Sequence, residues 1–366
     1  MKLIVMPDDG PEVLLSALKS AKKSIEIAIF RFDRSDFEKT LNAAVSDGVK
    51  VTALVADINR GGEKTLRQLE TRFLETGITV ARTADDLIRY HDKYFIIDRR
   101  VLFMLSFNFT HLDMDHSRGF GIATKNKAWV QEAIQLFEAD CARRPYTADR
   151  DTFVVSPANS RKVLRDFLRR AKKQLLIYDP QISDKEMIRI LQDRKKAGVE
   201  VRIIGKAGGR AGVTARKLTR MRLHTRTIIR DGRQAFVGSQ SLRPVELDSR
   251  RELGLMIREP KVVKGLQAKF EFDWKTSGAA AEVENSKAEK VPEAGKKETE
   301  KALAVLVKEL QPVSDTVKKA VNKVAAHTGG EMLPDKIVKS TVKKVVKKAV
   351  KQAVRAINRD AQQARG

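Results

Sequence analysis

The stretch HDKYFIIDRRVLFMLSFN at residues 91–108 decides the fold, because the chain repeats its pattern as HTRTIIRDGRQAFVGSQS at residues 224–241. In each copy a His is followed two residues later by a cation, seven later by Asp and fifteen later by Ser. Each pair of equivalent positions is 133 residues apart. Because this long pattern occurs twice in register, we predict an internal duplication and a chain that folds as two similar halves.

The duplication extends upstream of these two stretches, as it should if a whole scaffold has been repeated. Three pairs of segments correspond at a constant offset of 150 residues: 3–7 with 153–157, 21–23 with 171–173, and 47–51 with 197–201. The offset changes from 150 to 133 before His224, so the second half lacks seventeen residues. We expect the missing segment to be the equivalent of the helical stretch Lys64–Gly77.

The sequence pattern of each half indicates helices that alternate with strands. Pro11 is expected to open one helix, and Ser35, Asp36 and Glu38 form the pattern of a capping box before a second helix that ends at Gly48. Apolar or alternating segments predict strands at 24–30, 49–55, 94–97, 101–105, 174–178, 199–204, 227–229 and 235–237. Strands that alternate with helices predict a layered α/β fold.

Composition limits the class of protein. A length of 366 residues allows two domains, or a two-lobed body with a tail. The single Cys141 excludes an intramolecular disulfide, and no cluster resembles a zinc site. The N-terminal residues lack the apolar core of a signal peptide, so we interpret Met1 as the mature start, and no apolar run approaches the roughly 20 residues of a spanning helix. These features predict a cytoplasmic protein.

The net charge of +25 comes from 72 basic and 47 acidic side chains and divides unevenly along the chain. Residues 275–366 contribute +9, and the rest of the chain contributes +16. A body this basic predicts a polyanionic partner, either phospholipid headgroups or nucleic acid. The alternative interpretation is that the surface charge serves solubility.

The repeated pattern resembles the HxK(x)4D(x)6GSxxN motif of the phospholipase D superfamily. The matching positions are His91, Lys93, Asp98, Ser106 and Asn108 in the first half, and His224, Arg226, Asp231, Gly238, Ser239 and Ser241 in the second. The resemblance covers about residues 3–274 and implies two repeated α/β/α sandwich halves that are related by a pseudo-two-fold axis and share one active site. It also implies cleavage of phosphodiester bonds through a covalent phosphohistidine, with neither a metal ion nor another cofactor.

The chemistry of a phosphodiester explains why such a site needs these residue types. The substrate is an anion, so a catalyst must neutralise its charge, supply a nucleophile and protonate the leaving oxygen. A neutral imidazole can attack phosphorus and a protonated one can deliver the proton, each near its ordinary pKa of about 6.5. Cations and short polar side chains can hold the phosphate oxygens, a role that fits Lys93, Arg226, Ser106, Asn108, Ser239 and Ser241.

The resemblance also implies a carboxylate that orients one imidazole. Glu252 fits its position, whereas the residue 133 positions earlier is Gly119. We expect Glu252 to lie beside His224 and to raise the pKa of that imidazole. This assignment makes His224 the general acid and His91 the nucleophile.

Other positions of the repeat are given structural roles or depart from the family pattern. Asp98 and Asp231 are expected to anchor the hairpin after each motif. Arg226 replaces Lys, and its planar fork changes the geometry of phosphate contact. Leu105 replaces the Gly of the motif and is expected to place bulk beside the predicted phosphate ligand that follows it. The remaining His residues are interpreted as surface or loop positions: His111, His116 and His327.

The chain changes character after Trp274. We predict a first half at 1–146, a second half at 147–274, a disordered linker at 275–300 and a basic amphipathic helical tail at 301–366. The tail is rich in Lys, Ala and Val, with Val and Ala at helical spacing and Lys opposite them. Such a helix can lie on an anionic membrane surface, bind nucleic acid or pack against its neighbours. The pattern does not specify an oligomeric state.

These observations predict a phospholipase D-like phosphodiesterase or phosphatidyltransferase, with phospholipid as the first substrate class. A metal-independent DNA or RNA endonuclease is the alternative enzyme, because the motif is common to both. A third interpretation is a phosphate- or nucleic-acid-binding module that has lost catalysis through Arg226, Leu105 and Gly119. All three fit a cytoplasmic protein at a membrane surface or on nucleic acid.

Overall fold

The computed structural model describes residues 1–57, 62–207 and 212–279. The first half contains β1 (Lys2–Met6), α1 (Glu12–Lys19), β2 (Ser24–Ile29), α2 (Ser35–Ser46), β3 (Lys50–Val55), α3 (Glu63–Glu75), β4 (Thr79–Arg82), β5 (Arg89–Tyr90), β6 (Tyr94–Ile97), β7 (Val101–Leu105), α4 (His111–Asp115), β8 (Ser117–Thr124) and α5 (Lys127–Cys141). The predicted tail and most of the predicted linker lie outside the described residues.

The second half repeats this order except at α3, and it ends in an additional short strand. It contains β9 (Phe153–Ser156), α6 (Ser160–Arg169), β10 (Gln174–Ile182), α7 (Lys185–Lys196), β11 (Glu200–Ala207), β12 (Thr214–Lys217), β13 (Arg222–Leu223), β14 (Arg226–Arg230), β15 (Gln234–Gly238), α8 (Pro244–Asp248), β16 (Arg250–Ile257), α9 (Pro260–Lys275) and β17 (Gly278–Ala279). All eight predicted strands are present, with ends that shift by a few residues at most.

Each half forms one mixed β-sheet. The first has the order β1-β8-β7-β6-β2-β3-β4, and the second has the equivalent order β9-β16-β15-β14-β10-β11-β12, with β17 added beside β12. The strands β2, β3 and β4 run parallel, whereas β1, β6, β7 and β8 pair antiparallel. The expected α/β fold of two similar halves is confirmed.

The short strand that precedes each repeated motif belongs to the sheet of the other half. Arg89–Tyr90 pairs in parallel with Arg250–Arg251 of β16, and Arg222–Leu223 pairs in parallel with Ser117–Arg118 of β8. This exchange places each motif His where the two sheets meet. The halves therefore share a junction that neither could form alone.

Three hydrophobic clusters define the layers of the described body. The outer face of the first sheet packs against α1, α2 and α3, and the outer face of the second packs against α6, α7 and α8. A third cluster lies between the sheets and includes residues of both, together with α5 and α9. Each sheet thus has helices on both faces, which is the expected sandwich.

The structure shows where the second half is shorter. Helix α3 joins β3 to β4, whereas only residues 208–213 join the equivalent strands β11 and β12. Six residues are too few for a helix of thirteen. The segment missing from the second half is therefore the counterpart of α3, as the change of offset from 150 to 133 indicated.

The predicted capping box before α2 is wrong. The helix begins at Ser35 with Arg34 as its N-cap, and no side chain caps it. The buried Arg34 instead holds the carboxylate of Asp36 through its Nε (3.0 Å) and Nη2 (2.5 Å). Asp36 also accepts a hydrogen bond from the backbone N–H of Phe37 (2.9 Å), so charge pairing replaces the hydroxyl cap at this helix start.

Within the described residues, no helix combines the length and the apolar character needed to cross a bilayer.

Candidate active site at the junction of the two halves

Both motif histidines lie at the seam between the sheets, and each is only 6% exposed. The backbone N–H of His91 donates to the carbonyl of Arg251 (2.7 Å), and that of His224 donates to the carbonyl of Arg118 (3.1 Å). Each imidazole is thus positioned by the edge of the opposite half's sheet. The charge of His91 is one of the smaller influences that lower the pKa of His224.

His91 is oriented by Glu252. The Nδ1 atom of His91 lies 2.8 Å from Oε2 of Glu252, whose side chain is fully buried on β16. The ring of Phe30 packs edge-on against the imidazole, with 4.5 Å between the ring centroids. A neutral imidazole that donates from Nδ1 to a carboxylate keeps the lone pair of Nε2 free.

This arrangement corrects the sequence-based placement of the carboxylate. Glu252 was expected beside His224, in its own half, but it contacts His91 of the other half. The reason is the strand exchange, because β16 pairs with β5, and β5 leads directly into His91. A residue on β16 therefore reaches the opposite motif.

His224 has a different carboxylate partner, Asp113 of α4. Their closest atoms, Nδ1 of His224 and Oδ2 of Asp113, are 3.3 Å apart. Asp113 is buried and accepts hydrogen bonds at Oδ2 from the backbone N–H (2.8 Å) and Nδ2 (2.6 Å) of Asn108. Arg222 donates to its other oxygen (2.5 Å). Asn108 thus holds the carboxylate that faces His224.

Gly119 explains why the two carboxylates occupy different positions. A Cβ atom at Gly119 would lie 2.6 Å from the ring of Phe107, so that ring fills the space where the counterpart of Glu252 would begin. Sequence reasoning missed Asp113, although a signal existed. The position 133 residues later is Glu246, so this repeat position carries a carboxylate in both halves.

The pKa values of both histidines are lowered well below 6.5. Burial is the main cause at each, and the charges of Lys93 and Arg226 add to it at His91. At His224 the charges of Arg226 and Arg222 add to burial. The expectation of a raised pKa at His224 is therefore wrong. Both shifts favour the neutral form of the imidazole.

The two motif cations occupy equivalent positions and make equivalent first contacts. Lys93 Nζ donates to the carbonyl of His91 (2.5 Å), and Arg226 Nη1 donates to the carbonyl of His224 (2.6 Å). Arg226 also donates from Nε to Ser241 Oγ (3.2 Å) and lies 3.8 Å from Glu246. Its fork thus makes contacts that a Lys could not make together.

Lys93 has no exposed surface, and this burial has an electrostatic cost. Burial lowers the pKa of Lys93 to about 7, although the charge of Glu252 opposes the shift. Burial of Glu252 likewise raises the pKa of its carboxyl, although the charges of Lys93 and Arg226 oppose this shift. A phosphate anion placed among these groups would favour the charged form of Lys93.

The two motif serines bridge adjacent strands. Ser106 Oγ accepts from the N–H of Phe120 (2.9 Å), and Ser239 Oγ accepts from the N–H of Leu253 (3.2 Å). Ser239 Oγ also donates to the carbonyl of Leu253 (3.4 Å). Gly238 faces Gly254, and a Cβ added there would lie 2.8 Å from the Cα of Gly254. The glycine thus permits close approach of β15 and β16.

The sequence suggested that Leu105 places bulk beside Ser106, and the structure shows that it does not. Its side chain joins the outer hydrophobic cluster of the first half and fills the space over Gly121. Because side chains alternate along a strand, Leu105 points away from the face that carries Ser106. Of the other histidines, His111 and His116 are exposed as expected, and His327 lies outside the described residues.

Arginines two residues before each motif His are a second repeated feature that sequence reasoning missed. Arg222 binds Asp113, and Arg89 lies over the ring of Phe30 with 5.2 Å between Cζ and the centroid. Arg250 adds a third guanidinium, 3.2 Å from Glu246 and 3.8 Å from Glu252. Guanidinium groups therefore pair with carboxylates of this junction.

This arrangement brings two imidazoles, two carboxylates and two motif cations together at one buried junction. One imidazole has a free Nε2, a second lies beside a different carboxylate, and two motif cations adjoin them. These groups can attack a phosphate ester, carry a proton and hold anionic oxygens. Among the described residues, no group of three or more His, Cys, Asp or Glu side chains is placed to hold a metal ion.

Comparison with known proteins agrees with this architecture. The polyphosphate kinase of Porphyromonas gingivalis matches with a TM-score of 0.63 and 19% identity over 75% of this chain, which spans only 50% of the kinase chain. The phosphatidylserine synthase of Haemophilus influenzae Rd KW20 matches with a TM-score of 0.62 and 12% identity over 84% of this chain and 94% of that one. At these identities the likeness shows the fold.

A search of the curated proteins gave no match. A family model described as "Cardiolipin synthase, PLD-like domain" matches residues 14–141 and 164–274. The matched segments fall in the two halves and together include both repeated motifs. Since they cover more than half of the 366 residues, the chain belongs to this PLD-like family of the phospholipase D superfamily.

Proposed function

We propose that this protein is a metal-independent phosphodiesterase or phosphatidyltransferase that works through a phosphohistidine on His91. The observation that carries the proposal is the 2.8 Å contact between Nδ1 of His91 and the buried Glu252. This contact leaves Nε2 as the unprotonated atom of a neutral imidazole, which is the form that a nucleophile requires. The assignment of His91 is the one that the sequence suggested, now with a different physical basis.

In the first step, Nε2 of His91 attacks phosphorus and the bond to the leaving oxygen breaks. The leaving oxygen takes a proton from His224, which acquires that proton when the bound phosphodiester anion raises its pKa. Asp113, 3.3 Å from Nδ1 of His224, stabilises the imidazolium. Lys93 and Arg226 hold the phosphate oxygens on which negative charge concentrates.

In the second step, water or an alcohol attacks the phosphohistidine and the P–N bond breaks. His224, left neutral by the first step, accepts the proton of the attacking O–H. Water gives hydrolysis, and an alcohol gives transfer of the phosphatidyl or equivalent group. His91 and His224 return to their starting states.

Phospholipid is the first substrate class that we propose, because the matching family model is described by cardiolipin synthase. An endonuclease is the second candidate, and the specific observation that favours it is the net charge of +16 on residues 1–274. A duplex or single strand of nucleic acid would be attracted to such a body over long range.

The test is an assay of the wild type and His91→Ala, with EDTA present, on bis(p-nitrophenyl) phosphate, phosphatidylglycerol, phosphatidylcholine and DNA. We expect turnover that depends on His91, and acid-quenched enzyme labelled with substrate phosphate on His91. Label on His224 but not His91 would overturn the assignment of roles. No turnover with phosphate ligands still bound would indicate a binding module.

Arg226→Lys separates an active site from one that has lost catalysis. If the site is adapted to Arg226, Lys should lower kcat/KM by about tenfold, because it cannot reproduce the contacts to Ser241 and Glu246. Lys93→Arg is the matched control, since it places the same fork at the equivalent position. A large gain in rate for Arg226→Lys would instead support a decayed site.

A further inference from the structure

The internal repeat makes it possible to compare the surface charge of equivalent elements. Residues 10–52, with α1 and α2, carry 7 basic and 6 acidic side chains. The equivalent residues 160–202, with α6 and α7, carry 13 basic and 6 acidic side chains. The same scaffold therefore has a net charge of +1 in one half and +7 in the other. A difference of this size between superposable elements points to a function of the second helical layer.

Four of these thirteen cations line a groove. A cavity of about 660 Å³ lies where the end of α6 meets α7. Its walls carry four cations and two carboxylates: Arg169, Lys185, Arg189, Arg194, Glu186 and Asp193. The groove lies on the outer face of the second half and contains none of the side chains described at the candidate active site.

Two of the six acidic side chains of residues 160–202, Asp184 and Glu186, are paired with one arginine. Arg161 of α6 holds Asp184 (2.7 Å), Asp248 (2.6 Å) and, more loosely, Glu186 (3.4 Å). Glu186 also lies 3.5 Å from Arg169. Within the described ranges, the exposed cations Lys185, Arg189 and Lys196 form no ion pair. Their charge is therefore available to a partner.

We propose that this groove is a binding surface for nucleic acid, contacted through its phosphate backbone without readout of sequence. A concave surface with cations on both walls can follow a sugar-phosphate backbone, whereas a membrane surface is planar. Nucleic acid also needs no apolar anchor. The exposed large apolar side chains of the described body lie elsewhere, at Met1, Leu74, Ile88, Leu112 and Phe272. A surface that lies on a membrane normally inserts such groups.

The composition of the groove also predicts how it binds. No aromatic side chain lines it, so stacking on bases does not contribute. Affinity must come from contacts between cations and phosphates, and these release counterions and weaken steeply with salt. The inference is independent of which phosphodiester the catalytic site cleaves.

The test compares two double variants of the full-length chain with the same change of charge. Arg169→Glu with Arg189→Glu alters the groove, and Lys19→Glu with Lys39→Glu alters the equivalent exposed positions of the first half. Binding of a short fluorescein-labelled DNA duplex of mixed sequence is measured by anisotropy at several salt concentrations. Binding to vesicles of phosphatidylglycerol and phosphatidylcholine is measured in parallel.

We expect the groove variant to lose about tenfold or more in DNA affinity and its salt slope to fall by about 2, since two phosphate contacts are lost. The first-half variant should change affinity by less than about threefold. Equal losses in the two variants, or no loss in either, would overturn the proposal. A loss confined to the vesicles would also overturn it and assign the groove to an anionic membrane.

Circular dichroism and thermal melts establish that both variants are folded, as expected for exposed positions. If the Glu pair lowers stability, Arg169→Gln with Arg189→Gln and Lys19→Gln with Lys39→Gln give the same comparison without charge reversal. The same outcomes support or overturn the proposal with either set.

Discussion

Two histidines related by an internal repeat have different carboxylate partners in this protein. Glu252 contacts His91 at 2.8 Å from a neighbouring strand, whereas Asp113 faces His224 at 3.3 Å from a short helix. A carboxylate at hydrogen-bond distance fixes the tautomer of the first imidazole. The Nδ1 atom of the second imidazole lies farther from its carboxylate. Equivalent sequence positions thus have different surroundings, which is consistent with the different roles that we propose for them.

The roles proposed for Asp113 and Glu252 can be distinguished by changing the leaving group of the substrate. Asp113→Asn should lower turnover of a diester with an alkyl leaving group by about 10–100-fold, because an alkoxide needs a proton from His224. It should lower turnover of bis(p-nitrophenyl) phosphate much less, because nitrophenolate leaves without a proton. Glu252→Gln should lower both similarly, since it acts on the nucleophile. The measurement is kcat/KM for each substrate.

Asp115→Asn, on the same helix but paired with Arg34, is the control and should leave both rates unchanged. An equal loss on both substrates for Asp113→Asn would mean that Asp113 supports the fold of the site and is not a positioning residue for His224.

Lys93 should set the pH dependence on the alkaline side. Burial lowers the pKa of Lys93 to about 7, so its charge is lost as pH rises through that value. The lowered pKa of His91 keeps the nucleophile neutral until the pH falls well below 6.5. On bis(p-nitrophenyl) phosphate, whose leaving group needs no proton from His224, we therefore expect kcat/KM to decline above about pH 7, and Lys93→Arg to move this decline to much higher pH. A wild-type profile that stays flat to high pH would contradict this role.

At the scale of elements, each motif Asp anchors a hairpin to the start of a neighbouring strand. Asp98 accepts hydrogen bonds from the N–H groups of Lys22, Lys23 and Ser24 at 2.6–3.0 Å. Asp231 repeats the arrangement with Lys172, Lys173 and Gln174 at 2.6–3.1 Å. Both residues have positive φ, 52° and 55°. The motif Asp thus belongs to the scaffold and lies away from the imidazoles.

Replacing this anchor should affect stability and spare the chemistry. Asp98→Ala and Asp231→Ala should each lower the free energy of unfolding by about 1–3 kcal/mol, because three N–H groups lose their acceptor. Asn, which tolerates positive φ and keeps one acceptor oxygen, should lose less. The measurement is urea unfolding together with kcat of the folded protein. A large fall in kcat with unchanged stability would assign these residues to the active site.

The pKa of Asp98 gives this prediction a pH dependence. Burial, which raises the pKa, is outweighed by the hydrogen bonds from Ser24, Lys23 and Lys22, so the net shift is downward. A carboxyl with a lowered folded-state pKa stabilises the fold above its unfolded value of about 3.9 and loses that effect as pH falls. The cost of Asp98→Ala should therefore shrink in acid.

At the scale of the whole molecule, two buried arginines join the halves. Arg118 of β8 binds Asp273 of α9 through Nε (2.8 Å) and Nη2 (3.1 Å). Arg251 of β16 binds Asp140 of α5 at 3.0 Å. Each arginine also donates to a carbonyl at the end of the first strand of its own half, that of Met6 or Ser156. The junction thus has the same approximate symmetry as the fold.

Breaking one of these bridges should destabilise the body strongly. Arg118→Met should cost about 3–5 kcal/mol, because it leaves Asp273 buried with only the hydroxyl of Tyr178 as a polar partner. Lys269→Met, at the more exposed ion pair with Asp8, is the control and should cost about 1 kcal/mol or less. Thermal and urea unfolding measure both. Similar costs for the two variants would show that burial does not amplify the interaction.

The sequence by itself determined the duplication, its offsets and the deleted helix, because repeated spacings survive in the chain whatever its conformation. It also predicted the strands at the two motifs and named four side chains that the structure brings together at the junction: His91, Lys93, His224 and Arg226. Alternation and apolar runs depend on local geometry, so they could be interpreted without tertiary contacts. The capping box failed because Arg34 pairs with Asp36, and a charge pair of this kind is not encoded in a capping pattern.

Only the tertiary structure decided which carboxylate serves which histidine. The strands β5 and β13 pair with the sheets of the opposite halves, so Glu252 reaches His91. The ring of Phe107 leaves no space for a side chain at residue 119, and the carboxylate near His224 is that of Asp113. The lowered pKa values of both imidazoles also could not be predicted from the sequence. They follow from burial at a junction of two halves, and burial is a property of the packed molecule and not of any segment of its sequence.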